Sequence, residues 1–184
     1  MWLERRPANA VRADQAGHAL RDHANARGGA HRFLAVTTAL RLQVRRPAGG
    51  ETELSLAVPS ALEYVGPAVE LIAVELPGGP LSARRIQFNF RTALAEALAN
   101  AIAYGNRHDP DRLVQIRVEV GRDAVRLHVT DEGNGFNPAD VPDPTRPDRL
   151  ECEDGRGLFV LRHLVDQVAF NEKGNSVCLT LRAG

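Results

Sequence analysis

Residues 131–136 read DEGNGF, and they follow the run VRLHVT at 125–130, in which apolar and polar residues alternate. Such alternation predicts a half-buried strand, and Asn134-Gly135 behind it is the strongest short-range signal for a hairpin turn. A hairpin of this kind requires a complementary strand within about five residues of the turn. The chain instead continues as NPAD at 137–140 into a proline-rich segment. We therefore interpret the glycines as allowing the backbone to approach a ligand closely.

Asp131 stands at the end of this predicted strand, ahead of Gly133 and Gly135. A lone carboxylate at a strand end accepts hydrogen bonds, so it suits a ligand that presents an exocyclic amine. These three residues are candidates for ligand binding.

Periodicity and turn residues divide the chain from residue 51 onward into strands and helices. In chain order, the predicted elements are a strand at 53–58, helices at 61–76 and 82–104, strands at 113–120 and 124–129, a helix at 155–166, and strands at 168–171 and 177–181. Helices and antiparallel hairpins segregated in this way predict an α/β (α+β) two-layer sandwich, with a mixed, mainly antiparallel sheet and the helices on one face.

Local signals also fix the ends and faces of the two upstream helices. The hydroxyls of Ser60 and Ser82 can cap their N-termini, and Gly105-Asn106 ends the second helix. The second helix has apolar residues at four-residue steps, so one of its faces belongs to the core. The predicted core positions are Ile86, Phe90, Leu94, Leu98 and Ile102.

Glu96 and Asn100 lie four residues apart on this second helix, so both project from the same side. A carboxylate can accept a proton, and an amide oxygen can ligate Mg²⁺, a hard cation that prefers oxygen. The neighbours at 95, 97, 99 and 101 are all alanine, which leaves room for a large ligand. A solvated helix face is the plain alternative for such a pair.

Gly155-Arg156-Gly157-Leu158 forms a glycine-rich entry into the third helix. Free N–H groups and the helix dipole make such a terminus a favourable place for phosphate, and Arg156 adds a cation. Between this entry and DEGNGF lies the segment 137–154, with four prolines and a third of its residues acidic. It predicts a long surface loop, which is uncommon unless it is functional or disordered.

Residues 1–50 differ from the rest, with nine arginines against three acidic residues. A helix around 13–26 and a short apolar piece at 33–44 are predicted there. The segment is open to interpretation as a basic arm for a partner or as a weakly ordered extension. We predict a basic Ala/Arg-rich extension at 1–50, weakly ordered, followed by one domain at 51–184.

Composition limits the classes of function. From residue 51 onward, the chain has 20 acidic and 14 basic residues. A nucleic-acid interface requires a clustered basic surface, and this charge balance does not favour one. Cys152 and Cys178 are the only cysteines, they fit no zinc-ligand spacing, and they suit a reducing compartment. No apolar run approaches the roughly 18 residues of a membrane span. We expect a cytoplasmic protein without direct contact to nucleic acid or membrane.

Three stretches together resemble the nucleotide-binding boxes of one ATPase superfamily: EALANAIAYGN at 96–106, DEGNGF at 131–136 and GRGLFVLRHLVDQV at 155–168. The superfamily is shared by gyrase, heat-shock chaperone, histidine kinase and mismatch-repair proteins. The third stretch and the final NEKGNSVCLTL at 171–181 resemble the anti-sigma-factor serine/threonine kinases within it. The likeness covers about residues 52–182 and implies a histidine-kinase-like ATPase fold.

The resemblance implies a role for each matching residue. Glu96 corresponds to the general base for the attacking hydroxyl, and Asn100 to the Mg²⁺-binding asparagine. Asp131 corresponds to the acceptor of the adenine amino group, with Gly133 and Gly135 shaping the adenine pocket.

In the third stretch, Gly155 and Gly157 correspond to phosphate-contacting glycines at the end of a flexible ATP lid, here about 137–154. Arg156 and Leu158 belong to the same helix entry and are counted with the nucleotide-binding residues. The cofactors implied are ATP and Mg²⁺.

The resemblance implies a kinase that phosphorylates a serine or threonine of a small antagonist protein. It also implies binding of a sigma factor, with the choice of partner set by nucleotide state and by phosphorylation of the partner. Association of two copies of the chain is left open. Glu151, Glu153 and Asp154 crowd the end of the lid, where related sequences often place an arginine. Their charge favours the alternative of a nucleotide-dependent partner-switching module that transfers no phosphate.

Two other interpretations remain. The catalytic domain of a histidine kinase would require a long two-helix phosphoacceptor segment ahead of it, which the preceding residues do not offer. In the simplest alternative, all three glycine-bearing stretches are only turns and helix caps.

Overall fold

The computed structural model describes residues 21–24, 30–37, 40–48, 50–76, 78–137 and 156–184, with the side chains from residue 40 onward except that of Arg156. In this part of the chain, eight strands form one sheet in the order β1-β2-β3-β4-β5-β6-β8-β7. The strands are β1 (Arg21–Ala24), β2 (Ala30–Thr37), β3 (Leu40–Arg46), β4 (Thr52–Pro59), β5 (Leu113–Val120), β6 (Ala124–Thr130), β7 (Gln167–Phe170) and β8 (Ser176–Arg182).

Three α-helices accompany the sheet within the described ranges. They are α1 (Val65–Ala73), which follows a short 3-10 turn at Leu62–Tyr64; α2 (Arg91–Asn100); and α3 (Arg156–Leu164). Helix α2 is extended at both ends by π-helical segments, Arg85–Phe90 before it and Ala101–Gly105 after it. The predicted helix at 82–104 is therefore one continuous helical stretch with wider turns at its ends.

The strand register explains why the helices cover one face. Apolar residues that alternate along each strand are cross-strand partners of one another, as Leu54 is of Val118 and Leu127 is of Leu179. Because side chains alternate between faces, these rows all fall on the same side of the sheet. The buried rows come from β3, β4, β5, β6 and β8: Leu40, Leu42, Val44, Leu54, Leu56, Val58, Val114, Ile116, Val118, Val125, Leu127, Val129, Val177, Leu179 and Leu181.

The second helix completes the core from the other layer. All of its predicted core positions are buried, including Phe90, Leu94 and Leu98, which have no exposed surface. The amide of Arg85 donates to the hydroxyl of Ser82 at 3.3 Å, as expected of an N-cap. The predicted two-layer sandwich is confirmed, but every described strand pair is antiparallel, so the sheet is not mixed across these residues.

Ser60 does not cap the first helix as predicted. No side chain caps the turn that precedes α1. The hydroxyl of Ser60 is buried and donates to the carbonyl of Arg112 at 2.8 Å. The strand end and the helix start are adjacent in sequence, but a long-range partner takes the hydroxyl instead.

The N-terminal segment contributes to the sheet. Within the predicted helix at 13–26, Arg21–Ala24 is the strand β1, paired with β2; the remainder of that prediction lies outside the described residues. Strand β3 pairs with β4 and buries Leu40, Leu42 and Val44, so the sheet reaches back beyond residue 51. Cross-strand pairing has overridden the helix propensity of an Ala/Arg-rich sequence. The division into two domains at residue 51 stays a prediction.

Within the described ranges, no helix is both long enough and apolar enough to cross a membrane.

Candidate functional site

The three sequence stretches converge on one cavity of about 1150 Å³. Helix α2 supplies Glu96 and Asn100 to its wall, the turn after β6 supplies Asp131 and Gly135, and the start of α3 supplies Gly157. These positions span more than sixty residues of sequence. The fold therefore brings the sequence-predicted residues together.

At one end of the cavity, the backbone at the start of α3 lies directly against the Glu96 and Asn100 side chains of α2. The amide Nδ2 of Asn100 donates to Oε1 of Glu96 at 3.0 Å. A Cβ atom at Gly157 would overlap Oε1 of Glu96 and would lie 2.7 Å from Nδ2 of Asn100. A side chain at position 157 would push the Glu96 and Asn100 side chains aside, so the glycine keeps the three groups in contact. A carboxylate, an amide and a helix N-terminus are thus held together.

At the other end, Asp131 is half-buried where β6 ends. Its Oδ1 accepts a hydrogen bond from the amide of Gly133 at 2.8 Å. A Cβ atom at Gly105 would lie 2.7 Å from that same oxygen, so a side chain at the end of the helical stretch would displace the Asp131 carboxylate. Burial raises the pKa of the Asp131 carboxyl above its ordinary value, against the opposing effects of the Gly133 hydrogen bond and of the charge on Lys173.

Gly135 and Gly174 join two loops through their main chains. Both have positive φ, 76° and 74°. A Cβ atom at Gly135 would overlap the carbonyl oxygen of Lys173, and one at Gly174 would overlap that of Phe136. The turn after β6 therefore lies directly on the β7–β8 turn, and the ring of Phe136 also packs edge-on against Phe170 at 5.2 Å between centroids.

Replacing Gly135 by alanine is expected to destabilise the protein by about 2–4 kcal/mol, since backbone strain at positive φ adds to a clash with a carbonyl oxygen. Urea unfolding monitored by circular dichroism measures this. Gly66→Ala is the control, because an added Cβ at Gly66 meets nothing within 4 Å. Equal stability of the two variants would show that the loops can separate at no cost.

Asn106 supports the turn that carries Asp131, and the sequence did not single it out except as a helix end. It is buried, with 1% of its surface exposed. Its Nδ2 donates to the hydroxyl of Ser60 and to the carbonyl of Leu113, and its Oδ1 accepts from the amide of Glu132 at 2.8 Å. An asparagine directly after a helix-ending glycine is the local signal that could have indicated it.

Several predicted residues lie at the edge of the described structure or beyond it. Gly155 and the segment 138–154, which holds most of the predicted lid, are outside the described residues. Arg156 opens α3, and Leu158 lines the cavity.

The donor set beside Glu96 fits Mg²⁺. Because Asn100 donates to Glu96 through Nδ2, its amide oxygen is not used in that bond. Among the described residues, no three His, Cys, Asp or Glu side chains are grouped to hold a metal by themselves. Mg²⁺ commonly takes only one or two protein ligands and completes its shell with water and phosphate oxygens, so one amide oxygen beside a helix N-terminus is an adequate protein contribution.

An antiparallel sheet covered by helices on one face, with this cavity between α2, α3 and the turn after β6, defines the class of protein. The chain belongs to the histidine kinase-like ATPase domain family, whose model matches residues 58–181.

Named relatives make the position within that family more specific. The chain is 29% identical over 141 residues to the serine-protein kinase RsbW of Bacillus subtilis strain 168, covering 69% of this chain and 83% of that protein. It is 30% identical over 95 residues to an anti-sigma F factor of Clostridium beijerinckii, covering 50% of this chain. It is 31% identical over 87 residues to that of Geobacillus sp. strain WCH70, covering 46%.

The chain spans 66% and 60% of the lengths of these two anti-sigma F factors, less than two thirds of each. The predicted resemblance to the anti-sigma-factor kinases is confirmed.

Proposed function

We propose that this protein is a cytoplasmic, ATP-dependent serine/threonine protein kinase of the anti-sigma-factor type. In this proposal ATP occupies the cavity between α2 and α3, with adenine at Asp131 and the phosphates at the start of α3. The γ-phosphoryl group passes to a serine or threonine hydroxyl of a small antagonist protein. The family membership and the names of the relatives support the kinase class.

The observation that carries the proposal is the contact of Gly157 with Glu96 and Asn100. A phosphate at the N-terminus of α3 would lie beside the Glu96 carboxylate because Gly157 has no side chain to separate them. A hydroxyl brought to that phosphate can give its proton to Glu96 as its oxygen attacks phosphorus, while the bond from phosphorus to the bridging oxygen of ADP breaks.

Mg²⁺, when bound, would neutralise charge that develops on the phosphate oxygens. Asn100 would hold it through the amide oxygen. The hydrogen bond from Nδ2 to Glu96 would keep that oxygen turned away from the carboxylate. Gly155, Arg156 and Leu158 complete the proposed nucleotide contacts at the helix entry.

The proposed partners are the antagonist that accepts phosphate and a sigma factor that is released or held according to nucleotide state. Such a switch requires each partner to bind the two nucleotide states with different affinity. The alternative is a nucleotide-dependent switch without transfer, and the acidic residues Glu151, Glu153 and Asp154 near the α3 entry favour it.

Transfer from γ-labelled ATP tests the proposal. Proteins recovered from the native cell with the full chain, in the presence and absence of ATP, supply the candidate acceptors. We expect label on a serine or threonine of an acceptor in Mg²⁺ buffer, and a loss of transfer of at least about 100-fold in EDTA, since several kcal/mol of charge stabilisation disappear with the metal.

The other outcomes separate the alternatives. ATP binding without transfer to any recovered partner would establish the binding module. Label on a histidine would indicate a histidine kinase. Absence of nucleotide binding at millimolar ATP with Mg²⁺ would mean that the three glycine-bearing stretches are only turns and helix caps.

A further inference from the structure

The peptide bond between Asp131 and Glu132 is held from both sides by asparagine side chains. Its carbonyl oxygen accepts a hydrogen bond from Nδ2 of Asn175 at 2.7 Å. Its N–H group donates to Oδ1 of Asn106 at 2.8 Å. The bond is trans, so its oxygen and hydrogen point in opposite directions, and the two asparagines therefore lie on opposite sides of it.

Each asparagine is itself fixed by further hydrogen bonds. Nδ2 of Asn106 donates to the carbonyl of Leu113 at 3.0 Å, which can only accept, so its amide orientation is determined. Oδ1 of Asn175 accepts from Nδ2 of Asn171 at 2.9 Å. A main-chain hydrogen bond also fixes Asp131 relative to Asn175, because the amide of Asp131 donates to the carbonyl of Asn175 at 2.9 Å.

We infer that Asn106 and Asn175 are positioning residues that set the direction of the Asp131 carboxylate and thereby the choice of base at this site. This inference rests on the proposed nucleotide site. The N–Cα–C frame of Asp131 determines where its Cα–Cβ bond points, and that frame is held through both the amide and the carbonyl of Asp131. A shift of this frame would move the carboxylate, and a displacement of about 1 Å at a recognition group is costly.

The two asparagine hydrogen bonds to the Asp131–Glu132 peptide, here called the clamp, act on the base and not on the phosphates. Asn175 belongs to the β7–β8 turn and lines the cavity at the Asp131 end, together with Ser176. Glu96 and Asn100 belong to α2 and take no part in either asparagine bond. Loss of the clamp should therefore weaken recognition of an exocyclic amine selectively, with little effect on contacts made by the triphosphate.

Two substitutions at Asn175 isolate this bond. Asn175→Asp keeps the shape and the acceptor toward Asn171 but places an acceptor where the carbonyl of Asp131 needs a donor. Asn175→Ala removes the group without adding charge. Each should raise the Kd for ATP about tenfold, as expected for one hydrogen bond and the displacement that follows its loss. The Kd for inosine triphosphate, which carries a carbonyl oxygen in place of the amine, should change less than about twofold.

The matched control is Asn89→Ala. Asn89 also donates through Nδ2 to a main-chain carbonyl, that of Leu164 at 2.8 Å, but it joins the π-helical segment ahead of α2 to the end of α3. Its loss should lower thermal stability and leave unchanged the ratio of the Kd for inosine triphosphate to the Kd for ATP. Taking the ratio cancels any long-range effect of the added charge in Asn175→Asp. Asn106→Ala should lower the ratio as well, and the Asn175 variants decide the question if that buried substitution prevents folding.

Calorimetric titration of the full chain with both nucleotides distinguishes the outcomes. A fall in the preference for ATP in both Asn175 variants, but not in Asn89→Ala, supports the inference. An unchanged preference, or an equal loss for both nucleotides, overturns it. Wild-type protein that binds ATP but transfers no phosphate refutes the kinase proposal alone, whereas wild-type protein that binds neither nucleotide refutes both.

Discussion

Substitution of Glu96 by glutamine is expected to lower phosphate transfer by about 10²–10⁴-fold, the usual contribution of a general base, with ATP affinity changed less than about threefold. Glutamine retains an oxygen for the hydrogen bond from Asn100, so the geometry at the start of α3 is preserved. What it loses is the ability to take a proton from the acceptor hydroxyl. Single-turnover transfer and equilibrium titration measure the two quantities separately.

The control for this prediction is Thr92→Ala, one turn earlier on α2 and exposed. It should leave both transfer and binding at the wild-type level. Glu96→Ala should match Glu96→Gln in transfer, because neither variant has a carboxylate. Wild-type transfer by either variant would mean that another group accepts the proton, and the proposed role of Glu96 would be wrong.

Substitution of Asp131 by asparagine is expected to weaken ATP binding about 100-fold, since a hydrogen bond to a charged acceptor is lost and a mismatch replaces it. The amide of Gly133 donates to Oδ1, so an asparagine at this position would keep its oxygen there. Its nitrogen would then take the place of Oδ2 and present a donor to the adenine amine. The same donor suits the carbonyl of inosine triphosphate, so the order of the two affinities should reverse.

The pH dependence of binding gives an independent check on Asp131. The ionised carboxylate is the better acceptor, so ATP affinity should be constant at high pH and fall as the pH drops through the pKa. Because burial raises that pKa, the fall should begin at a higher pH than an ordinary aspartate would cause. Asp131→Asn should show no such fall over this range. The exposed Asp123 supplies the control, since Asp123→Asn should keep both the affinity and the pH profile of the wild type.

The same raised pKa implies a cost to stability. A carboxyl whose pKa is higher in the folded state than in the unfolded state stabilises the fold at low pH, and that contribution is lost as the pH rises through the folded-state pKa. Unliganded Asp131→Asn should therefore be at least as resistant to urea as the wild type at pH 8. The ionised carboxylate of Asp131, which is proposed to bind adenine, would thus destabilise the protein when no nucleotide is bound.

Local sequence determined the elements and their faces. Alternation in 113–120 and 124–129 predicted two strands with one buried side, and Val114, Ile116 and Leu127 are buried accordingly. Four-residue spacing predicted the core face of the second helix, down to Phe90. These signals are local, since the pleat and the helical turn repeat over two to four residues and place side chains directly. Six of the site residues predicted from the motifs line one cavity: Glu96, Asn100, Asp131, Gly135, Gly157 and Leu158.

Tertiary structure decided what could not be found locally. An Ala/Arg-rich stretch favours helix in isolation, but pairing with β2 makes Arg21–Ala24 a strand. Ser60 looks like a helix cap, but its hydroxyl is bound by Asn106 and Arg112, which lie 46 and 52 residues away. Asn175 looks like a turn residue, yet it bonds to the backbone of Asp131 across 44 residues. A buried polar group bonds to whichever partner the packed chain brings within reach. That partner can be distant in sequence, so the neighbouring residues do not predict it.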